Sequence, residues 1–576
     1  VVVGVSRLAV LDLFNESCYN SKNEPRKRFT YIPLIPRLKA LYESPSPDIA
    51  RKMRYRGEFK HQSAVMQDIM DGTHYRQLQD TFVSLDGHQL PHKYFNDPRD
   101  IALGFSTDGF CPFRRRKKTC WPLLIYNYNL PPEVRFWAQH VLCIGVIPGP
   151  KKPKDFDSFL WPAVEELLQL AHGIRCLDQQ AMEHFWLRAY VIICFGDIPA
   201  VSMMMRMKGH NGLSPCRMCK ITALRPPGST APVTYVPLNR SKHPNVCSDP
   251  NAVSIYDPRS LPLRTHDEFL AQANLVQFAL TTAESERLAK TYGIKGIPIL
   301  STLSSLSFPI SFPFDFMHLI FENVMKNLIL LWTDDFKGID EGTGSYVVEK
   351  RVWEAIGEAT SVSGLTIPGA FGPRLPNIAD ERSSMTADMW SFWLQYLGPV
   401  LLSRRFQRRV YFDHFIDFVK LVRICLQFEL TQDDMQTLQE GFPTWVEDYE
   451  RLYYQYKPDR LPICPLTIHA VLHIPDSIIA TGPVWVSWAF PTERFCGRLL
   501  PAIRSRRHPF ANLDNFVIAS AQLAQIKVKH DLFNSLSLKA PKALKIANSF
   551  SHPSSKFNHP SINRAQDCCL PFNSIQ

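Results

Sequence analysis

Long apolar runs are missing from this chain. Nowhere do 18 or more apolar residues follow one another, so no membrane-spanning helix is expected. No signal-peptide pattern opens the sequence. The 14 cysteines are scattered over 576 residues, which does not fit a small secreted disulfide scaffold. No internal repeat is visible. An initial methionine is also lacking; the chain begins at Val1, and a fragment without its true N-terminus is expected.

What is present is apolar and mildly basic. Apolar residues make up 45%, enough for a large core within several domains or one heavily inserted domain. Lys and Arg number 65 against 54 acids, a net charge of +11, and such an excess suits a nucleic-acid partner because Lys and Arg replace phosphate counterions.

The chain divides into five stretches. Residues 1–100 form a mixed N-terminal region, in which 29–100 read as short helices and loops. Residues 101–224 carry the clearest pattern. "IALGFSTDG" and "WPLLIYNYNL" read as buried strands, the first stopped by Asp-Gly. "VRFWAQHVLCIGVIPGP" reads as a third strand and "DFDSFLWPAVEELLQLAHGI" as a helix, with Asp155 or Asp157 near its start and Gly173 near its end. "FWLRAYVIICFGD" reads as a fourth strand, followed by a helical turn, "IPAVSMMMRMKG". Residues 225–460 read as a mainly helical insertion. Its first part, 225–265, is rich in Pro, Ser and Asn and is expected to be an exposed connection. Residues 461–530 complete the core. The tail, 531–576, is disordered by composition from 540 onward.

Strand, strand, strand, helix, strand is the order of an RNase H-like core, with one acid on the first strand and another at the end of the fourth. Asp108 and Asp197 occupy those places. Clustered carboxylates suit phosphodiester cleavage, because they hold divalent ions that activate a poor nucleophile and stabilise the leaving oxyanion. Each acid also has a plainer reading: Asp108-Gly109 as a turn, and Asp197 before Ile-Pro as a helix N-cap. The expected fold class is therefore α/β, an RNase H-like mixed sheet flanked by helices, with the large helical insertion lying between the second and third acids.

Metal-ligand spacing gives a second signal. "SPCRMCK" sets Cys216 two residues from Cys219, a zinc half-site. "LTIHAVLHIP" sets His469 and His473 four apart, on one helical face. Together they make a Cys2His2 set able to close a tetrahedral site and tie the end of the insertion to its beginning. Cys464 is a rival ligand. In "DFMHLIFENV", Asp315, His318 and Glu322 share a helical face at i, i+3 and i+7. This makes Glu322 a rival to Glu493 as third acid. Basic clusters lie close to the acids: Arg114, Arg115, Arg116, Lys117 and Lys118 follow Asp108, and Arg504, Arg506 and Arg507 follow Glu493. They suit a DNA phosphate path, or else a solvated loop or nuclear-import signal. A third cluster is "SRRFQRR" at 403–409. Trp485 and Trp488 precede Glu493 and read as core packing or as base-stacking platforms.

The segments "STDGFCPF", "TCWPLLIYNYNLPP", "FWLRAYVIICFGDIPAVSMMMRMKGHNGLSPCRMC", "FDFMHLIFENVMKNL" and "GPVWVSWAFPTERFCGRL" resemble CACTA (En/Spm-type) DNA transposases, particularly those of mushroom-forming fungi. The resemblance spans roughly residues 29–525. The wider group, which includes the V(D)J recombinase catalytic subunit, is similar in its order of acid, acid, CxxC, histidine pair and Glu. It implies a DDE transposase, with the triad on Asp108, Asp197 and Glu493 holding two Mg2+ or Mn2+ ions. A structural Zn2+ would sit on Cys216, Cys219, His469 and His473. It further implies transposon-end and target DNA as partners, a homo-oligomer, a nuclear location and a separate element-encoded DNA-binding protein. The alternatives are a catalytically silent, transposase-derived DNA-binding protein and an RNase H-like nuclease.

Overall fold

The structure, a computed structural model, describes residues 29–113, 119–149, 152–153, 155–367, 374–505 and 507–536. Its centre is a four-stranded mixed sheet made of β1 (Ile101–Thr107), β2 (Trp121–Asn127), β3 (Leu142–Ile147) and β4 (Ala189–Phe195). The spatial order is β3-β2-β1-β4. β1 pairs antiparallel with β2 and β2 with β3, whereas β4 runs parallel to β1.

β1, β2 and β4 are buried at every position, as expected of strands covered on both faces. Alternate side chains enter separate cores. Ile101, Leu103, Phe105, Leu123 and Ile125 pack against α1 (Asp157–His172) through its Leu160, Val164 and Leu167. Ala102, Leu124, Tyr126 and Phe195 face the other way, into a core shared with the helical region, including Trp332, Trp390, Trp393 and Trp445. The Asp155 carboxylate caps the start of α1 through the Asp157 N–H at 3.1 Å, and Gly173, at φ +111°, ends it. α2 (Ile198–Met204) follows β4 directly.

Four stretches differ from expectation. The run at 185–197 is two strands, because Glu183–Leu187 turns back on Ile174–Asp178 as a hairpin before β4 begins. The break falls at Arg188, whose carbonyl accepts the Ile101 N–H at 2.8 Å. Apolar run length hides this break, since Trp186 is exposed on the hairpin while β4 is buried. The third expected strand is confined to Leu142–Ile147, with Pro132–Arg135 forming a helical turn ahead of it. The 225–265 stretch is packed rather than simply exposed: Tyr235, Val236 and Leu238 are buried, and the Glu450 carboxylate accepts the Leu238 and Asn239 N–H groups. Residues 29–100 also contain a hairpin, Phe82–Leu85 with His88–Lys93.

One buried ion pair knits distant stretches together. The Arg135 guanidinium meets the Asp68 carboxylate in two bonds of 2.6 and 2.7 Å, with both side chains fully buried. Tyr55 donates to the same carboxylate at 2.8 Å. Arg135 also lies over the rings of Tyr128 and Trp485, so the N-terminal region, the end of β2 and the Glu493 segment converge on it. Removing one partner from such a pair leaves an uncompensated buried charge, which costs about 3–5 kcal/mol. Arg135→Met is therefore expected to lower the thermal midpoint sharply. The double variant Arg135→Met/Asp68→Leu should recover much of that loss, and an Arg135→Met protein as stable as the parent would contradict the assignment.

Candidate metal centres

Asp108 stands one residue past β1 and Asp197 two residues past β4, so two neighbouring parallel strands deliver both acids to the same end of the sheet. Each acid also fills its plainer role. Asp108 Oδ1 accepts the Gly109 N–H at 2.6 Å. Asp197 Oδ1 caps α2 by accepting the Ala200 N–H at 2.6 Å. A carboxylate has two oxygens, so these bonds leave one on each acid for another partner.

Glu493 comes from the far end of the chain, on α3 (Phe490–Leu499). Thr492 anchors it. Its hydroxyl shares hydrogen bonds with Ser106 of β1 at 2.9 Å and with Tyr126 of β2 at 3.0 Å, contacts spanning 386 and 366 residues. Asp315 holds the helix start by accepting the Ala489 N–H at 2.7 Å. Tyr128 donates to the Val486 carbonyl at 2.7 Å.

Ligand atoms of Asp108, Glu493 and His318 lie within 4.8 Å of one another. His318 Nδ1 is 2.6 Å from Asp315 and its Nε2 is 3.4 Å from Glu493. Asp197 is outside that group of three, yet its charge acts on Asp108 and on His318. Burial pushes the Asp108 carboxyl up to about 7, with the charges of Asp197 and Glu493 adding to the rise. Burial likewise raises Asp197, against the Ala200 N–H and His318. Burial works against a charged His318, but Asp315, Glu493 and Asp108 outweigh it and hold the imidazole up to about 11. The imidazolium therefore partly neutralises a cluster of carboxylates. The Glu493 side chain is 49% exposed, which leaves the cluster open to solvent on one side.

The second centre is fully buried. Cys216 Sγ lies 3.4 Å from His473 Nε2, Cys219 Sγ lies 3.2 Å from His469 Nε2, and the two Nε2 atoms are 3.2 Å apart. Metal–ligand distances of about 2.0–2.3 Å give tetrahedral edges of about 3.3–3.8 Å, so the donor set fits one zinc ion. Burial opposes ionisation of both thiols, but Cys216 is held well below the usual thiol range by the Cys219 thiol and both imidazoles. Burial lowers His469, leaving the neutral ring a metal needs. Arg264 Nε fastens the CxxC turn through the Cys216 and Cys219 carbonyls at 3.1 and 3.2 Å. Cys464 is buried but stands outside the four-donor group.

The two centres adjoin through Phe314 and Asp315. The Phe314 ring stacks on His473 at 6.3 Å and carries the Arg217 guanidinium at 4.0 Å. Arg217 is buried, and its two Nη atoms have no hydrogen-bond partner among the described residues. Burial lowers its pKa to about 10, countered by Cys216, Asp197 and Asp315.

Other expected residues fall elsewhere. Glu322 pairs with Lys326 at 3.7 Å and does not join Asp108. Trp485 and Trp488 are buried, and Trp485 donates to the Phe428 carbonyl at 3.2 Å, so both are core residues rather than stacking platforms. Arg504 and Arg507 are exposed. Arg114, Arg115, Arg116, Lys117, Lys118 and Arg506 lie outside the described residues. The roles of Thr492 and Arg217 were not foreseen; their only sequence signal is adjacency to Glu493 and to the CxxC pair.

Residues 64–231 match the model of transposase family tnp2. The match supports a transposase family, and with it a DNA-cutting activity. It covers Asp108, Asp197, Cys216 and Cys219 and ends well before His469, His473 and Glu493, which the fold supplies from outside it. No curated protein matches the chain. No helix among the described residues is long and apolar enough to cross a membrane.

Two outcomes are expected. Metal-free protein should take up one zinc per chain, and Cys219→Ser should abolish that uptake and lower the thermal midpoint; a folded protein that takes up none would contradict the fit. The second concerns Asp108. Its folded pKa of about 7 exceeds the ordinary 3.8, so the folded state loses stability as pH rises from about 4 to about 7, by up to about 4 kcal/mol. Without loosely held divalent ions, Asp108→Asn should therefore stabilise the protein, by a margin that widens over that range and then levels off. A margin independent of pH would contradict it.

Proposed function

We propose that this chain is the catalytic part of a DDE-type DNA transposase of the CACTA (En/Spm) kind, in its fungal version, acting in the nucleus. It would cleave strands at transposon ends and join them to target DNA. The observation that carries this reading is the meeting of Asp108 with Glu493, held by the Ser106–Thr492 bond across 386 residues, beside an Asp197 whose charge reaches both Asp108 and His318. Clustering like charges in a buried site costs stability, a cost characteristic of functional sites. The family match over 64–231 agrees with it. The β3-β2-β1-β4 order, with an acid after β1 and another after β4, supports an RNase H-like core. The helical insertion between Asp197 and Glu493 is then closed by the Cys2His2 centre.

In this reading Asp108, Asp197 and Glu493 would hold two Mg2+ or Mn2+ ions through their free carboxylate oxygens. Such ions activate the attacking oxygen and stabilise the leaving 3′ oxygen. His318 would act as a positioning residue: clamped by Asp315, it aims the Glu493 carboxylate at Asp108. Arg217 would offset the charge of Asp197 and Asp315 from behind the site.

The test is strand cleavage of a duplex bearing the element's own ends, with Mg2+ or Mn2+ added. Asp108→Asn, Asp197→Asn and Glu493→Gln should each lower cleavage by about 10³-fold or more. Each should bind the duplex nearly as the parent does, because phosphate affinity comes from Lys and Arg. Full cleavage by Asp197→Asn would overturn the DDE reading, and a parent protein with no metal-dependent cleavage would overturn it too.

A further inference from the structure

Three exposed lysines gather beyond α2 without acid partners among the described residues. After α2 the chain forms a short antiparallel bridge, Met207 with Ile294. Lys208 N–H donates to the Gly293 carbonyl at 2.8 Å, and Lys295 N–H to the Arg206 carbonyl at 2.7 Å. These bonds fix Arg206, Lys208 and Lys295 on two adjoining segments. Gly293, at φ +75°, makes the turn possible; a Cβ there would meet the Ser214 carbonyl oxygen at 2.1 Å, so the bridge is pressed against the loop leading to Cys216.

Lys152 approaches from the segment between β3 and α1. Its charge acts on Lys295 and on Asp197. Burial, followed by Lys152, Lys208 and Arg206, pushes the Lys295 ammonium below its ordinary value. These cations are therefore close enough to repel one another. Among the described residues only Arg206 of these four is in ion-pair distance of an acid, Asp157 at 4.0 Å and largely buried, while Lys152 feels Asp197 from farther off. A fold that assembles unneutralised cations on a fixed backbone beside an acid cluster favours a polyanion, whose phosphates replace the missing acids.

We propose that Lys152, Lys208 and Lys295, with Arg206 behind them, form a track for a DNA phosphate backbone that leads away from Asp197 along α2. The proposal rests on the reading of the chain as a DNA-cutting enzyme and uses residues outside the Arg and Lys clusters that follow Asp108 and Glu493 in the sequence. α2 has seven residues, a rise of about 10 Å, so the track begins within a few nucleotides of the metal-binding acids. Its contacts are with backbone phosphates, so it holds DNA irrespective of sequence.

The test is fluorescence anisotropy with a labelled random-sequence duplex, in buffer free of divalent ions, over a range of salt. The Lys152→Gln/Lys208→Gln/Lys295→Gln variant should bind about tenfold or more weakly near 0.1 M salt. The slope of log affinity against log salt should fall by about 2–3. The corresponding triple Lys→Arg variant should bind as the parent does. A control removing equally exposed lysines elsewhere, Lys60→Gln/Lys242→Gln/Lys350→Gln, should change little. Unchanged binding in the first variant, or an equal loss in the control, would overturn the track while leaving the parent's own binding and cleavage intact. A parent protein that binds no DNA would overturn the track and the function on which it rests.

Discussion

The hydroxyl of Thr492, shared between Ser106 and Tyr126, is the contact on which the site depends. It pins the helix carrying Glu493 to β1 and β2 at the end where Asp108 emerges. Two further bonds, from Ala489 to Asp315 and from Tyr128 to Val486, fix the segment leading into that helix. The Arg135–Asp68 pair closes the same region from behind. All these groups are buried, and a buried polar group left unpaired costs about 1–3 kcal/mol. The arrangement therefore holds together or fails together, and a segment nearly 400 residues away in sequence reaches the sheet in one register.

That rigidity opposes an electrostatic penalty. Burial at the end of the sheet, with the charges of Asp197 and Glu493 adding to it, pushes the Asp108 carboxyl up to about 7. His318, itself held by Asp315, lies among them as a fixed cation. Phe314 and Asp315 link this cluster to the Cys2His2 centre: one contacts His473 and Arg217, the other His318 and the Glu493 helix. The two centres consequently share a wall.

Much of this was legible in the sequence, though unevenly. β1 and β4 stood out because apolar runs stopped by Asp-Gly or Gly-Asp are strong strand signals, with the acids visible at those stops, and β2 stood out as an apolar run ended by Pro131-Pro132. The hairpin before β4 was not, since Arg188 interrupts a run that otherwise reads as continuous. The CxxC and HxxxH spacings indicated two half-sites, but their convergence is a property of the whole insertion. Glu322 shares a face with Asp315 and His318 only at the 3.6-residue spacing of an α-helix. The segment Met317–Val324 is a π-helix, whose wider turn carries Glu322 off that face. The lysines beyond α2 were illegible, because the bridge between Met207 and Ile294 joins positions that nothing in the sequence relates.

The central claim is that Asp108, Asp197 and Glu493 surround one divalent-metal site. Protein-cleavage mapping tests it most directly. Fe2+ bound in place of Mg2+ generates oxygen radicals that cut the nearby backbone when ascorbate and peroxide are added. The account predicts cuts near 108, 197 and 493 together, all suppressed by excess Mg2+ and all lost in Asp108→Asn. Cuts near only one of these positions, or cuts that persist in Asp108→Asn, would contradict it.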